Sequence, residues 1–278
     1  MTETLPRTTG HAMPIDESKY KQLKLDRPSD KVLRITFDRP DTYNSLDEVG
    51  HRELAYIWRD IDDDPSINSV ILTGAGKAFS SGGDFSMIEK VIDDFDYRAN
   101  TWKEARDLVY NVINCSKPII SAINGPAVGA GLVAGLLADI SIAGKKAKIV
   151  DGHTRLGVAA GDSAVINWPL LCGMAKAKYL LLTCEAINGE YAEKIRFVSS
   201  TYENFDDLYS AGVELAEEIA SNATNVVQGT KQVLDMGEDL TTQQALDFVQ
   251  LWSTSFLITE DLREGVTAFM EKRKPKFN

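Results

Sequence analysis

The sequence predicts an α/β protein that becomes helical in its second half. Short apolar runs rich in Val and Ile, typical of buried strands, recur within the first 150 residues. Stretches with apolar residues at helical spacing lie between these runs, and this alternation is typical of layered α/β folds. After about Gly157 the pattern is almost wholly helical. We therefore expect a β/α core followed by a helical tail.

The individual elements are predicted as follows. Strands are expected at 32–37, 70–73, 119–123, 140–143 and 147–150. Helices are expected at 101–114 and at 46–61, where Asp47 and Glu48 stand in the first turn. The tail holds four amphipathic candidates, at 209–220, 223–236, 241–258 and 261–272.

Three regions follow from this pattern. Residues 1–18 are polar, contain Pro6 and Pro14, and lack apolar periodicity, so we expect a mobile N-terminal arm. Residues 19–205 form the predicted core, and residues 206–278 form the helical C-terminal region.

Composition and charge argue against several classes of function. The 278-residue chain is 44% hydrophobic and 26% charged, which is ordinary for a globular protein. Its formal net charge of −11 disfavours nucleic acid and anionic membranes as partners. The longest apolar run, 127–138, is too short and too rich in glycine to span a bilayer.

The cysteines and histidines predict no metal site. The three cysteines show no CxxC or other metal-ligand spacing, and with no secretory signal they favour a reduced, cytoplasmic setting. His11 and His51 do not join His153 at metal-ligand spacing. His51 is expected on a solvated helix face beside Arg52 and Glu53.

Two glycine-rich turns carry the strongest functional signal. Residues 78–84 read Ala-Phe-Ser-Ser-Gly-Gly-Asp, and residues 124–131 read Asn-Gly-Pro-Ala-Val-Gly-Ala-Gly. Each turn follows a predicted strand and precedes a segment that can begin a helix. Small residues let the backbone approach a ligand closely. Two converging backbone N–H groups would form an oxyanion hole, which stabilises charge on a carbonyl oxygen.

These turns resemble those of the crotonase (enoyl-CoA hydratase/isomerase) superfamily, whose members carry A-F-(S/C)-x-G-x-D and N-G-x-(A/V)-x-G-G-G in this order. The segment 263–277 is similar to the family's ending, so the resemblance spans about Leu33 to Phe277. It implies a spiral of ββα turns capped by helices, with Gly83 and Ala130 as oxyanion donors. It also implies a C-terminal region that packs on neighbouring subunits, in a homotrimer or a hexamer. A tail that covers only its own domain is the alternative.

The acid and base positions depart from that family. Where a typical hydratase carries two glutamates, this chain has Val133 and His153. His153 lies nine positions before Asp162, and an imidazole oriented by a carboxylate can act as a general base toward water. The segment through Trp168 is similar to 6-oxocamphor hydrolase, a superfamily member that opens a cyclic β-diketone. The alternatives are a structural His153, an Asp162 that caps the next helix, and an Asp151 on a surface loop.

The resemblance implies a coenzyme A thioester as substrate and no separate cofactor. Pantetheine would pair with backbone near the first turn, which makes Ser81, Asp84 and Phe85 the predicted CoA contacts. Asp41 stands where relatives often place a lysine near the CoA phosphates, and Lys274 is a candidate replacement.

The acyl pocket is predicted from the same resemblance. Its candidate residues are Tyr43, Met87, Val133 and Trp168, and a core aromatic is the alternative for Tyr43 and Trp168. The helix at 101–114 carries Lys103, Glu104 and Arg106, which are expected on a solvated face.

Several functions remain open at this point. Hydration or isomerisation of an enoyl-CoA is the default, and retro-Claisen hydrolysis of a β-dicarbonyl fits a His/Asp pair better. A non-catalytic acyl-CoA-binding scaffold is the third possibility. A dinucleotide site is the least favoured: 129–134 fits G-x-G-x-x-A, but five residues separate its first glycine from the strand.

Overall fold

A six-stranded sheet forms the centre of the protein. The computed structural model describes residues 14–161, 163–236, 244, 250 and 259–277. The sheet strands are β1 (Leu23–Ser29), β2 (Val32–Phe37), β3 (Ser69–Gly74), β4 (Ile119–Ile123), β5 (Ile140–Gly144) and β8 (Ser200–Tyr202). They are arranged in the order β1-β2-β3-β4-β5-β8, and only β1 runs antiparallel to its neighbour. A separate antiparallel pair joins β6 (Lys148–Ile149) to β7 (Ile187–Asn188).

Helices connect these strands and make up most of the described C-terminal region. In chain order they are α1 (Glu48–Asp63), α2 (Phe85–Asp93), α3 (Phe95–Asn114), α4 (Gly129–Leu137), α5 (Ala164–Cys172), α6 (Met174–Thr183), α7 (Gly189–Lys194), α8 (Phe205–Ala220), α9 (Thr224–Met236) and α10 (Glu260–Glu271). Asp47, expected within the first turn, is instead the N-cap of α1, since its carboxylate accepts the N–H groups of Val49 and Gly50.

Strand β3 shows how the sheet is buried on both faces. All six of its residues are buried. Val70 and Leu72 face the larger apolar cluster with α1, while Ile71 faces a smaller cluster with α8. Successive side chains of a strand point to opposite faces, and parallel sheets are covered on both sides.

The sheet topology does not support the dinucleotide-binding alternative. Each described strand of the sheet pairs with the next one along the chain, apart from the step from β5 to β8 at one edge. The order therefore never reverses, and no crevice of the kind that holds a dinucleotide opens between diverging strands. The Gly129 motif instead begins α4.

Most predicted elements are confirmed, with some differences in extent. The strands at 32–37 and 119–123 have the predicted bounds, whereas α3 begins six residues earlier than predicted. The prediction of an almost wholly helical second half is wrong for β7 and β8, which the alternation of polar and apolar residues did not indicate. The predicted helix at 241–258 lies outside the described residues, apart from 244 and 250.

The predicted mobile arm does not extend to residue 18. Ile15 is 9% exposed and belongs to the main apolar cluster. Its backbone N–H donates to Asp64 Oδ2 at 2.9 Å, so residues 14–18 are tied to the end of α1. Residues 1–13 lie outside the described part of the chain.

A polar contact buried between α1 and α3 corrects two further predictions. His51 and Glu104, both expected on solvated faces, are 5% and 7% exposed. His51 Nδ1 lies 3.0 Å from Glu104 Oε2, and Arg52 Nε donates to Glu104 Oε1 at 2.9 Å. Burial alone would raise the pKa of the Glu104 carboxyl, but these hydrogen bonds outweigh burial and hold the pKa below its ordinary value.

Glu104→Gln is expected to destabilise the fold by about 1–3 kcal/mol at pH 7, because it removes charge-assisted hydrogen bonds to His51 and Arg52. A carboxyl whose pKa is lowered by folding stabilises the protein above its unfolded pKa, and this contribution is lost as the pH falls through the folded pKa. Urea unfolding at pH 7 and below pH 4 measures the difference. Glu89→Gln, on the exposed side of α2, is the control. An E104Q deficit that persists unchanged in acid would contradict the assignment.

Candidate active site

Three segments from different parts of the chain lie side by side at the carboxyl ends of β3 and β4. Ser80 of the first turn pairs with Ala127 of the second, and Ala127 pairs in turn with Ile149 of β6. Val128 N–H donates to Ser80 O at 2.9 Å, and Ala127 N–H donates to Lys148 O at 2.8 Å. The two glycine-rich turns and the segment that leads to His153 are therefore held in one short ladder.

The two turns approach so closely that glycine is required where they meet. A Cβ atom on Gly129 would lie 2.9 Å from Gly82 Cα and 3.6 Å from Gly83 N. Gly129 has φ +57 and Gly82 has φ +86, in the left-handed region that disfavours other residues. The backbone of the second turn thus lies against the backbone beside Gly83.

The N–H groups of Gly83 and Ala130 have no acceptor among the residues that the structure describes. Gly83 is exposed, and Ala130 is half-buried in the first turn of α4, where backbone N–H groups have no intrahelical partner. The aligned peptide dipoles of a helix also make its N-terminus electropositive.

Two asparagine side chains fix the first turn, and the sequence analysis did not single them out. Asn44 donates from Nδ2 to the carbonyl oxygens of Ala75 and Ala78. Asn124 accepts the N–H of Gly74 and donates to Ala78 O at 3.2 Å. Asn44 is 1% exposed and has φ 58, a conformation that asparagine tolerates better than most residues. Its place in a turn after β2 was the available sequence signal.

His153 is held by Asp151, an aspartate that the sequence analysis did not propose as its partner. Its Nδ1 lies 2.9 Å from Asp151 Oδ2, and its backbone N–H donates to Asp151 Oδ1 at 3.0 Å. The His153 side chain is 26% exposed and that of Asp151 only 8%. The expectation that Asp151 lies on a surface loop is therefore wrong: its carboxylate is buried against the imidazole.

The predicted partner, Asp162, lies outside the described residues. The N-cap position of α5 is Ser163, and the two expected roles of Asp162, as partner of His153 or as helix cap, stay predictions. The short Asp-Gly-His spacing was the signal for the Asp151 contact, because an aspartate often bonds the backbone N–H two residues further on.

A small cavity of about 10 Å³ borders Asp151. It reaches from the second turn to Asp151, and its remaining lining is mostly apolar: Gly129, Leu132, Val133, Leu136, Ser163, Ala164 and Trp168. Its volume is near the lower limit for one water molecule. Val133 is 8% exposed, so the predicted pocket residue on α4 is a buried apolar side chain that borders this cavity.

The other predicted pocket residues divide into buried and exposed ones. Trp168 is 3% exposed and packs edge-on against Phe197, with ring centroids 4.8 Å apart, so it is a core aromatic that also borders the cavity. Met87 is buried on α2. Tyr43 is 56% exposed, with φ 54, and is not a core aromatic.

The predicted CoA contacts surround the first turn, apart from one. Ser81 donates its N–H to Tyr43 O and its hydroxyl to Thr42 O. Asp84 caps α2, and Phe85, the first residue of that helix, is 78% exposed. Lys274 follows α10, and among the described residues no hydrogen bond or ion pair joins it to this turn.

Comparison with known proteins decides the family. A protein-family model described as enoyl-CoA hydratase/isomerase matches residues 27–278. The chain belongs to this family. The chain is 32% identical over 271 residues to a mitochondrial Δ(3,5)-Δ(2,4)-dienoyl-CoA isomerase of Dictyostelium discoideum, covering 93% of this chain and 92% of the relative.

Further relatives of this hydratase/isomerase family member agree in fold and in class. It is 35% identical over 250 residues to an (E)-benzylidenesuccinyl-CoA hydratase of Thauera aromatica, which covers 90% of this chain and 96% of the relative. A structure described as a putative enoyl-CoA hydratase from Streptomyces coelicolor superposes with a TM-score of 0.90 at 27% identity, covering 99% of each chain. The crotonase fold is thus shown, and the protein is an enzyme of the hydratase/isomerase family.

The helices of the described residues include none that is both long and apolar enough to cross a membrane.

Proposed function

We propose that this family member acts on an acyl-CoA thioester and stabilises negative charge on the thioester oxygen with the N–H groups of Gly83 and Ala130. The close approach of the two glycine-rich turns carries this proposal, because Gly129, the residue before Ala130, lies against the backbone of Gly82 and Gly83, and neither proposed donor has a protein acceptor in the described chain. Donors fixed in advance of the reaction need no reorganisation when charge develops.

The surroundings of the two donors favour an anion. Ala130 lies in the first turn of α4, and the positive end of the helix dipole adds to its N–H group. Loss of one such donor typically slows a reaction about 10²–10³-fold. The site would stabilise an enolate or a tetrahedral oxyanion more strongly than the uncharged carbonyl of the ground state.

His153 is the proposed general base. The two positions expected to hold hydratase glutamates are Val133, which is buried and apolar, and His153 itself. A half-buried imidazole held by a carboxylate can take a proton from water or from a carbon next to the carbonyl at neutral pH. Proton transfer would therefore depend on one histidine in place of two glutamates.

The names of the relatives favour coenzyme A as the carrier. Those with 31–35% identity include dienoyl-CoA isomerase, benzylidenesuccinyl-CoA hydratase and short-chain-enoyl-CoA hydratase. In this proposal the thioester enters past Ser81, Asp84 and Phe85 around the first turn, and Lys274 meets a CoA phosphate. CoA is part of the substrate, and no separate cofactor is required.

Hydrolytic cleavage of a β-dicarbonyl is the second candidate, and the contact between His153 and Asp151 favours it. His153 would take a proton from water as the water oxygen attacks one carbonyl carbon. Collapse of the resulting tetrahedral oxyanion breaks the bond to the carbon between the carbonyls, and that carbon leaves as an enolate. The proton returns to this carbon, giving a carboxylic acid and a ketone.

Parallel assays with crotonyl-CoA and with a cyclic β-diketone separate these candidates, with His153→Ala as the control. Water addition to crotonyl-CoA that depends on His153 supports a hydratase with a histidine base and removes the retro-Claisen candidate. Ring opening of the diketone without hydration of crotonyl-CoA supports the retro-Claisen hydrolase and removes the hydratase. A protein that binds acyl-CoA but turns over no thioester or diketone would contradict both and would support a scaffold.

We also propose a homotrimer or hexamer. The support is a set of large apolar side chains exposed on α5, α6 and α10: Ile166, Leu170, Leu182, Phe269 and Met270 are 56–86% exposed in the single chain. Light scattering coupled to gel filtration measures the mass directly, and a monomer at micromolar concentration would contradict this proposal.

A further inference from the structure

We propose that Asp151 is the positioning residue that fixes the orientation and tautomer of His153; this inference rests on the proposed role of His153 as the base. Asp151 contacts His153 with both carboxylate oxygens, one at the imidazole Nδ1 and one at the backbone N–H. One side chain thus fixes the ring and the backbone of the same residue.

The burial of Asp151 strengthens this contact. Asp151 is 7% exposed and borders a cavity whose other walls include Val133 and Trp168. A carboxylate in such surroundings interacts more strongly with a nearby proton donor than one in water. Among the described residues, the partner of the Asp151 carboxylate is His153, through its backbone N–H and its imidazole Nδ1.

The position of Asp151 is also fixed from the other side. It follows β6, whose neighbour Val150 donates its N–H to Ala127 O at 3.3 Å. Ala127 belongs to the second glycine-rich turn, three residues before Ala130. Asp151 therefore connects the His153 ring to the backbone that carries the proposed oxyanion donor, so the base and the donor keep a fixed relation.

The chemical consequence concerns which ring nitrogen carries the proton. When Nδ1–H is donated to a carboxylate, a proton taken from a substrate or water is accepted at Nε2, and the carboxylate stabilises the imidazolium that forms. An asparagine has the same shape but can donate its amide N–H to Nδ1. That would place the proton on Nε2 and remove the basic lone pair there.

The test compares Asp151→Asn with Asp162→Asn, and with Asp30→Asn on an exposed turn as the matched control. The first measurement is the ¹⁵N chemical shift of the His153 ring nitrogens, which reports the tautomer without any substrate. The second is kcat on whichever compound the wild-type protein turns over. We expect D151N to change the tautomer and to lower kcat about 10²–10⁴-fold with little change in KM, as for an isosteric exchange in other His/Asp pairs. D30N should match the wild type in both measurements.

The outcomes separate this inference from the proposed function. An unchanged tautomer in D151N, with a changed one in D162N, would overturn the inference and assign the role to Asp162. A changed tautomer in D151N together with full activity of His153→Ala would support the positioning contact and reject His153 as the base. Circular dichroism of each variant, with Asp151→Ala as a second replacement, separates local loss of the contact from loss of the fold.

Discussion

His153→Ala is expected to lower kcat by about 10²–10⁴-fold, the usual contribution of a general base. His153 lies four residues after Ile149, which belongs to the ladder of Ser80, Ala127 and Ile149, and Asp151 holds its imidazole. Since the ring is expected to act in the chemical step, KM should change little. Steady-state kinetics on the active substrate measures both constants.

His51→Gln is the matched control for this replacement. His51 is buried between α1 and α3 and bonded to Glu104. Its loss should lower the free energy of unfolding and leave kcat close to the wild-type value. An H153A protein with full activity would reject the histidine base, whatever the result for His51.

Gly129→Ala is expected to lower kcat by about 10²–10³-fold, because it separates the two turns that carry the proposed oxyanion donors. The new methyl group would lie 2.9 Å from Gly82 Cα. This contact is too short, and because Gly82 Cα is a backbone atom, one of the two turns must move. The residue would also keep φ +57, a conformation that costs an L-residue about 1–2 kcal/mol. The movement displaces the Gly83 and Ala130 N–H groups from each other.

Gly173→Ala controls for the backbone conformation alone. Gly173 has φ +80 between α5 and α6, but a Cβ there meets nothing within 4 Å. G173A should therefore lose stability and retain kcat, while G129A loses kcat. Thermal unfolding and kcat measured on both proteins make the comparison. Equal rates in the two variants would contradict a role for the convergence of the turns.

The glycine-rich turns were predictable because their signals are local. A glycine in the left-handed region, an apolar strand before it and a helix start after it all lie within about a dozen residues. The N-terminal extension of α3 had a local signal too, since Asp94 accepts the N–H of Tyr97 as a helix cap. Strand β8 had none: its Ser-Thr-Tyr sequence is half-buried at the sheet edge, and its pairing with β5 decides its conformation.

The surroundings of the polar site residues were not predictable from spacing. Asp151 is only two positions from His153 in sequence, but the cavity that it borders is lined by Val133 and Trp168, which belong to α4 and α5. Glu104 and His51 are 53 positions apart, and each looks like an ordinary surface residue of its own helix. Helical periodicity places a side chain on a face, whereas only tertiary packing determines what covers that face.

Difference Raman or infrared spectroscopy of bound butyryl-CoA tests the oxyanion hole most directly, because this thioester has no double bond to hydrate. The account predicts that the thioester C=O stretch moves to lower frequency on binding to the wild-type protein. The shift should persist in His153→Ala and disappear in Gly129→Ala. A carbonyl frequency equal to that in water, for thioester that is demonstrably bound, would contradict the proposal that Gly83 and Ala130 polarise the substrate.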